Sequence, residues 1–323
     1  MTILEKFLKR CRDYYYVSQL LAYFSRPVRF LSLQVAEQIQ RKVRKNGVTI
    51  RLPNGKEMSI GRNTGIGIAS RLFWHGLDGY EPDTSQTLRF MFERASTFVD
   101  AGANCGLYSV MGALWNPNLK VIAFEPVPVI FSGLQKNVLL NRLESRVRCE
   151  NVALSSRSGR ATLFLPEGEG LDIETTGTLV SDSWQRLKGS PAIEVEAARF
   201  DDYEAAHPMR VDLIKIDVED FEADVLEGMR RTILRDRPFI VCEILPRPHG
   251  NKRTYEIAQS LNYQPYWITP VGYVKTSSFD LSRLRHTDFL LSPVSTRDAV
   301  VDSLEVLWEL KKSGGKALQR LSG

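Results

Sequence analysis

Apolar residues along the first part of the chain recur at helical spacing. Over residues 2–24, Ile3, Phe7, Leu8, Cys11, Tyr14, Tyr15, Leu20, Leu21 and Phe24 stand among basic residues, which predicts a helix broken at Pro27. A second helix is expected over 30–45, stopped by Asn46-Gly47. Two short β segments, 48–52 and 56–60, flank Pro53-Asn54-Gly55 and read as a hairpin. A glycine-rich loop (61–67) follows, and a helix at 83–94 leads into a sheet.

From residue 97 strand and helix patterns alternate. Strands are expected at 97–101, 120–125, 146–153, 211–217, 239–243, 263–268 and 288–291, with helices at 105–115, 128–141, 220–234 and 252–260. Such alternation predicts an α/β fold, a mostly parallel seven-stranded sheet with helices on both faces. Segments 159–165 and 193–199 read as an added β pair around a polar, glycine-rich loop, 166–192. A final helix near 297–311 carries Val300, Leu304, Leu307 and Trp308 on one face. The expected organisation is an N-terminal helical and hairpin extension (1–78), one main domain (79–295) and a C-terminal helix and tail (296–323).

Charge divides the chain unevenly. Residues 1–60 hold twelve Lys/Arg and four Asp/Glu, and the remainder holds 31 basic against 34 acidic residues. A nucleic-acid enzyme places basic residues around its own cleft, so this distribution argues against a nucleic-acid substrate. The basic N-terminal region reads as a helical cap on the domain, with an interfacial helix giving peripheral membrane contact as the alternative. Cys11, Cys105, Cys149 and Cys242 are scattered without a C-x-x-C pair, which excludes a zinc or redox motif and suits a reduced, cytoplasmic protein. There is no signal-peptide pattern and no apolar run of spanning length. The four histidines have no zinc-ligand spacing, and neither a G-x-S-x-G elbow nor a phosphate-binding G-x-x-x-x-G-K is present. Nothing in the pattern specifies an oligomeric state.

The chemistry concentrates in Asp100-Ala101-Gly102-Ala103-Asn104-Cys105-Gly106, a D-x-G-x-N-x-G turn between an apolar strand and a helix. About twenty residues later a second strand ends on Glu125. Glycines let a backbone approach a ligand, and an acid at the second strand end can accept ribose hydroxyls. A dinucleotide site would begin with glycine where this chain has Asp100, and a carboxylate there repels a pyrophosphate. It suits the cationic end of S-adenosylmethionine (SAM), which carries no phosphate. The plainer alternative is a tight turn with no ligand.

Asp217 ends one strand and Glu243 ends its expected neighbour, so both should face the crevice outside the carboxyl ends of the sheet, with Glu219 beside them. Three roles are open to these acids: general base or substrate-orienting group, ligands of a divalent cation, or caps of the following helix. Glu222, on that helix's first turn, reads as a surface or capping acid.

With those residues laid out, the chain resembles the FkbM-type methyltransferase family. The matching segments are FVDAGANCGLYS (98–109), VIAFEPVPVIFSGLQKNVLLN (121–141), ENVALSSRSGRATLF (150–164), DLIKIDVEDFEADVLEG (212–228) and FIVCEI (239–244), with GYEP (79–82) upstream. The resemblance implies a Rossmann-like class I methyltransferase fold and a SAM-dependent enzyme, many of whose relatives O-methylate sugars or natural products. It implies that Asp100, Gly102, Asn104 and Gly106 line the methionine end of the cofactor, that Glu125 holds the ribose, and that Asn151 and Val152 lie by the adenine. Asp217, Glu219 and Glu222 match the family's acidic segment, and Asp220 stands where the family has glycine. The acceptor is then a small molecule or glycan, with N-methylation of an amine or a non-catalytic scaffold in a membrane-associated glycan-assembly complex as alternatives.

Overall fold

The structure, a computed structural model, describes residues 46–62, 64–164, 192–245, 248–270, 272–277, 279 and 288–294. The expected helices at 2–24, 30–45 and 297–311 lie outside these residues, as does the loop 166–192 apart from its last residue, Ala192.

The hairpin forms as β1 (Val48–Arg51) and β2 (Glu57–Ile60), paired antiparallel with Val48 opposite Ile60. A helix the sequence pattern did not suggest follows, α1 (Ile66–His75). Gly65 opens it at φ 90, and Ile68, Ala69 and Leu72 form its buried face. The glycines that read as a loop are the helix's entry. A 3-10 turn, Gly76–Gly79, leads into α2 (Pro82–Phe92), whose first residue is a proline, a good start for a helix.

The main sheet is built from β3 (Thr97–Ala101), α3 (Leu107–Trp115), β4 (Lys120–Phe124), α4 (Pro128–Leu140) and β5 (Val147–Glu150), then β9 (Leu213–Ile216), β10 (Phe239–Glu243), β11 (Tyr263–Thr269), β12 (Gly272–Lys275) and β13 (Asp288–Pro293). Its order is β12-β11-β13-β10-β9-β3-β4-β5. Strands β10, β9, β3, β4 and β5 run parallel, and β13 inserts antiparallel between β10 and β11. This is the Rossmann-like methyltransferase order, with β12 added as a short eighth strand at the edge. Connections run outward from β3 in one direction and from β9 in the other, so the switch point, where ligands bind, lies at the carboxyl ends of these neighbours.

Between the two halves of that sheet the chain makes β6 (Ala153–Leu154), β7 (Gly159–Phe164), β8 (Ala192–Ala198) and α5 (Phe200–Ala206). The expected strand 146–153 is therefore two strands in different sheets, and the added β pair is a three-stranded sheet ordered β6-β8-β7. The change of direction falls at Asn151, whose Nδ2 donates to the carbonyls of Glu125 (2.8 Å) and Pro126 (2.9 Å) and pulls the chain toward β4. The expected helix 220–234 is also two pieces, α6 (Glu222–Gly228) and α7 (Arg230–Asp236), with Met229 between them at φ −107. At Gly228 a Cβ would sit 2.0 Å from the Ser155 carbonyl oxygen, so the glycine permits close packing against the chain after β6. The last described helix, α8 (Pro248–Ser260), begins four residues earlier than its apolar pattern.

Both faces of the sheet are packed, which is why its strands are almost wholly apolar. Phe98, Val121, Ala123, Leu213 and Val241 face a core shared with α2 and α3, including Phe92, Val110 and Met111. Val99, Phe124, Ile214, Ile216 and Cys242 face the opposite core with Phe200, Val225 and Ile233. Among the described residues no helix is long and apolar enough to cross a membrane, and Cys105, Cys149 and Cys242 are free thiols.

Candidate functional site

A cavity of about 340 Å³ opens at the carboxyl ends of β3, β4, β9 and β10. Its floor is the turn after β3. Gly102 has φ 79, and a Cβ there would lie 1.8 Å from the Asp217 carbonyl oxygen, so only bare backbone fits between the two strand ends. Asn104, at φ 50, closes the turn by accepting the Cys105 N–H on Oδ1 (2.7 Å). Gly106 then opens α3 at φ 83, where a Cβ would press to 2.5 Å on Leu134 Cδ1.

Glu125, only 5% exposed, reaches back to this turn. Its Oε2 accepts the Asn104 N–H (3.0 Å) and its Oε1 the Val127 N–H (2.9 Å). Burial pushes its pKa up to about 7, against the opposing pull of those two N–H groups. Each oxygen keeps a lone pair for a further donor. Beyond Glu125 the wall is apolar, made by Phe124, Val152, Leu154 and Leu163.

Asp100 stands elsewhere than expected. It is 1% exposed and lies beneath the cavity, not among its lining residues. Its Oδ2 accepts the Ser109 hydroxyl (2.6 Å), while Oδ1 has no hydrogen-bond partner among the described residues. Burial raises its pKa, opposed by Lys215, its register partner on β9, and by the Ser109 hydroxyl. Gly106 and Asn151 also lie behind the lining, as parts of the frame, whereas Gly102, Asn104, Glu125 and Val152 line it.

Across the floor the structure brings Asp217, Glu219 and Glu243 together, with one oxygen of each within 4.8 Å of the others. Glu219 (φ 54) and Asp220 (φ 79) are consecutive left-handed residues, and they turn the chain sharply enough after β9 to put Glu219 at the cavity. Asp220 thus occupies a conformation that favours glycine, and its N–H donates to Glu222 Oε1 (3.0 Å). Glu222, the first residue of α6, is not a surface acid: it is 4% exposed, and burial pushes its pKa up to about 8.

The acids at the cavity differ in charge. Burial raises the pKa of Asp217, but the Lys215 ammonium at 2.7 Å from Oδ2 and a hydrogen bond from Glu243 outweigh it and hold Asp217 below the usual range. Burial, the Asp217 charge, their shared hydrogen bond and the Asp288 charge push Glu243 well above it. At neutral pH Glu243 therefore holds a proton and donates it to an ionised Asp217. The acids proposed as ligands for a divalent cation already have Lys215 as their counter-charge.

Sequence reasoning missed Lys215, Tyr80, Glu81, Tyr108 and α1, all of which line the cavity. Tyr108 donates to Glu81 Oε2 (2.7 Å), tying α3 to the start of α2. Lys215 left a readable signal, a lone charge in the four-residue strand Leu213-Ile214-Lys215-Ile216. Residues from α1 left none, because tertiary packing brings them over the turn after β3.

The sequence model of the methyltransferase FkbM domain matches residues 100–266, just over half of the chain. Methyltransferase sdnD of Sordaria araneosa is 34% identical over 153 residues, covering 41% of this chain and 59% of that protein. The 31-O-demethyl-FK506 methyltransferase FkbM of Streptomyces tacrolimicus is 30% identical, covering 40% and 58%. The 2-O-methyltransferase NoeI of Sinorhizobium fredii is 30% identical, covering 45% and 61%. The chain thus spans about three fifths of the length of these relatives.

Proposed function

The chain belongs to the FkbM methyltransferase family, and from that premise we propose that it transfers a methyl group from SAM to a hydroxyl of a sugar, glycan or natural product. The observation that carries the reading is the single cavity shared by the bare-backbone turn at Gly102, the Glu125 carboxylate and the Asp217–Glu243 pair. The residues fit the cofactor. Glu125 would hold the ribose hydroxyls, Val152 and the apolar wall the adenine, and the turn at Gly102 and Asn104 the amino-acid end. SAM supplies, when bound, a methyl group on a sulfonium that is transferred by in-line displacement.

The chain's own contribution is alignment and proton handling. Asp217, ionised and at the cavity wall, accepts the hydrogen bond of the acceptor hydroxyl and takes its proton as the oxygen gains the methyl group. Glu243, protonated, fixes the Asp217 carboxylate from the other side. Glu219 borders the same space and orients the acceptor. Two relatives are named for oxygen positions, 31-O and 2-O, which favours a hydroxyl over an amine acceptor.

The test begins with calorimetry of the protein with SAM and with S-adenosylhomocysteine. Micromolar binding of both is expected, and a folded protein that binds neither would remove the methyltransferase reading. An acceptor screen with product mass spectra and assigned linkage then decides oxygen against nitrogen.

A further inference from the structure

Lys215 is a charged residue inside an otherwise apolar central strand. It is 2% exposed, a depth at which lysine is almost never found unpaired. Its Nζ donates to Asp217 Oδ2 at 2.7 Å and lies 5.0 Å from the centre of the Tyr108 ring. Carboxylates act on it from five places: Asp100 on β3, Glu81 at the start of α2, Asp217 at the end of its own strand, and Glu243 and Asp288 on β10 and β13. A buried ammonium is costly to desolvate, and only well-placed partners offset that cost. A Leu or Met would fill the strand without that cost.

We propose that Lys215 is the positioning residue of the site, a built-in counter-cation that holds the Asp217 carboxylate toward Glu243 and the cavity so that it can receive the acceptor hydroxyl. The proposal rests on the reading of Asp217 as the acceptor's hydrogen-bond partner. Lys215 acts through Asp217, by geometry and charge. It does for the acid pair what a divalent cation would do, from inside the sheet. Arg in its place would keep the charge, and Met the shape alone.

The test is a double-mutant cycle on the protein without cofactor, followed by kinetics. In Lys215→Met, Asp217 loses its counter-charge and takes up a proton readily at pH 4 but not at pH 7. The melting temperature should therefore fall further below wild type at pH 7 than at pH 4. Adding Asp217→Asn should recover more than about half of the pH 7 loss, since removing both partners strands neither. In a transfer assay, Lys215→Met should lower kcat about tenfold or more and move the acidic limb of the pH profile up by about one unit, with SAM affinity within about threefold of wild type. Lys215→Arg should restore the wild-type limb. Equal melting differences at both pH values, with additive losses in the double variant, would make Lys215 a packing residue and overturn the proposal. Should the wild-type protein bind no SAM while the cycle still shows coupling, the methyltransferase reading fails and the charge pairing stands.

Discussion

The two sides of the cavity are held by different physics. On the β3–β4 side backbone does most of the work: Glu125 accepts two backbone N–H groups, Asn104 caps its own turn, and Gly102 leaves room for nothing but main chain. On the β9–β10 side, side-chain charge dominates, with Lys215, Asp217 and Glu243 satisfying one another through a salt bridge and a shared proton. The first arrangement is fixed in shape by main chain and suits a ligand that is always the same. The second can change protonation and suits a reacting group. Asp100 shows the boundary, since it lies on the first side in sequence but answers to Lys215 on the second.

The change expected to break both sides at once is Gly102→Ala. The added methyl would meet the Asp217 carbonyl and force a left-handed alanine, costing more than about 2 kcal/mol, and both the melting temperature and SAM binding should collapse together. Asp217→Asn and Glu243→Gln come next, and they should separate the two acids. Asparagine cannot take the proton, so transfer should drop about 100-fold with SAM affinity retained. Glutamine imitates the protonated Glu243, so that variant should stay within about fivefold of wild type. Equal losses in the two variants would contradict the proton assignment. On the other side Glu125→Ala should weaken SAM binding about 10- to 100-fold by calorimetry, because it removes the acceptor for the ribose hydroxyls and strands two backbone donors.

Two smaller effects sharpen the contrast through stability alone. Glu222 has a raised folded pKa, so the folded state binds more protons than the unfolded one between about pH 4.5 and 8. Stability should fall as pH rises through that window, and Glu222→Gln should flatten the slope of melting temperature against pH. The smallest effect is at Asp220, where φ is 79. Asp220→Gly should raise stability by about 0.5 kcal/mol in chemical denaturation, as relief of the left-handed strain slightly exceeds the added freedom of the unfolded chain.

Elements whose cause is local were readable from the chain. The strand from 97, the turn that needs glycine at 102 and 106, and the acids at the ends of β4, β9 and β10 all follow from alternation, turn chemistry and position at a strand end. Where distant backbone intervenes, the pattern was not enough. The chain leaves β5 at Asn151 because that side chain finds carbonyls on the neighbouring turn, and α6 closes on a glycine, Gly228, because the Ser155 backbone lies against it. Helix α1 hides behind glycines that serve to bring it over the turn after β3; Gly65 packs on Cys105 with no room for a side chain.

The sequence alone settled the alternation of the main strands and helices from residue 97, the family and the presence of acids at one edge of a sheet, because periodicity and turn residues act over a few positions. It could not assign the protons. Which carboxyl is charged depends on burial and on distances of a few ångströms between residues far apart in the chain, and those come into being only when β3, β9 and β10 are laid side by side around Lys215.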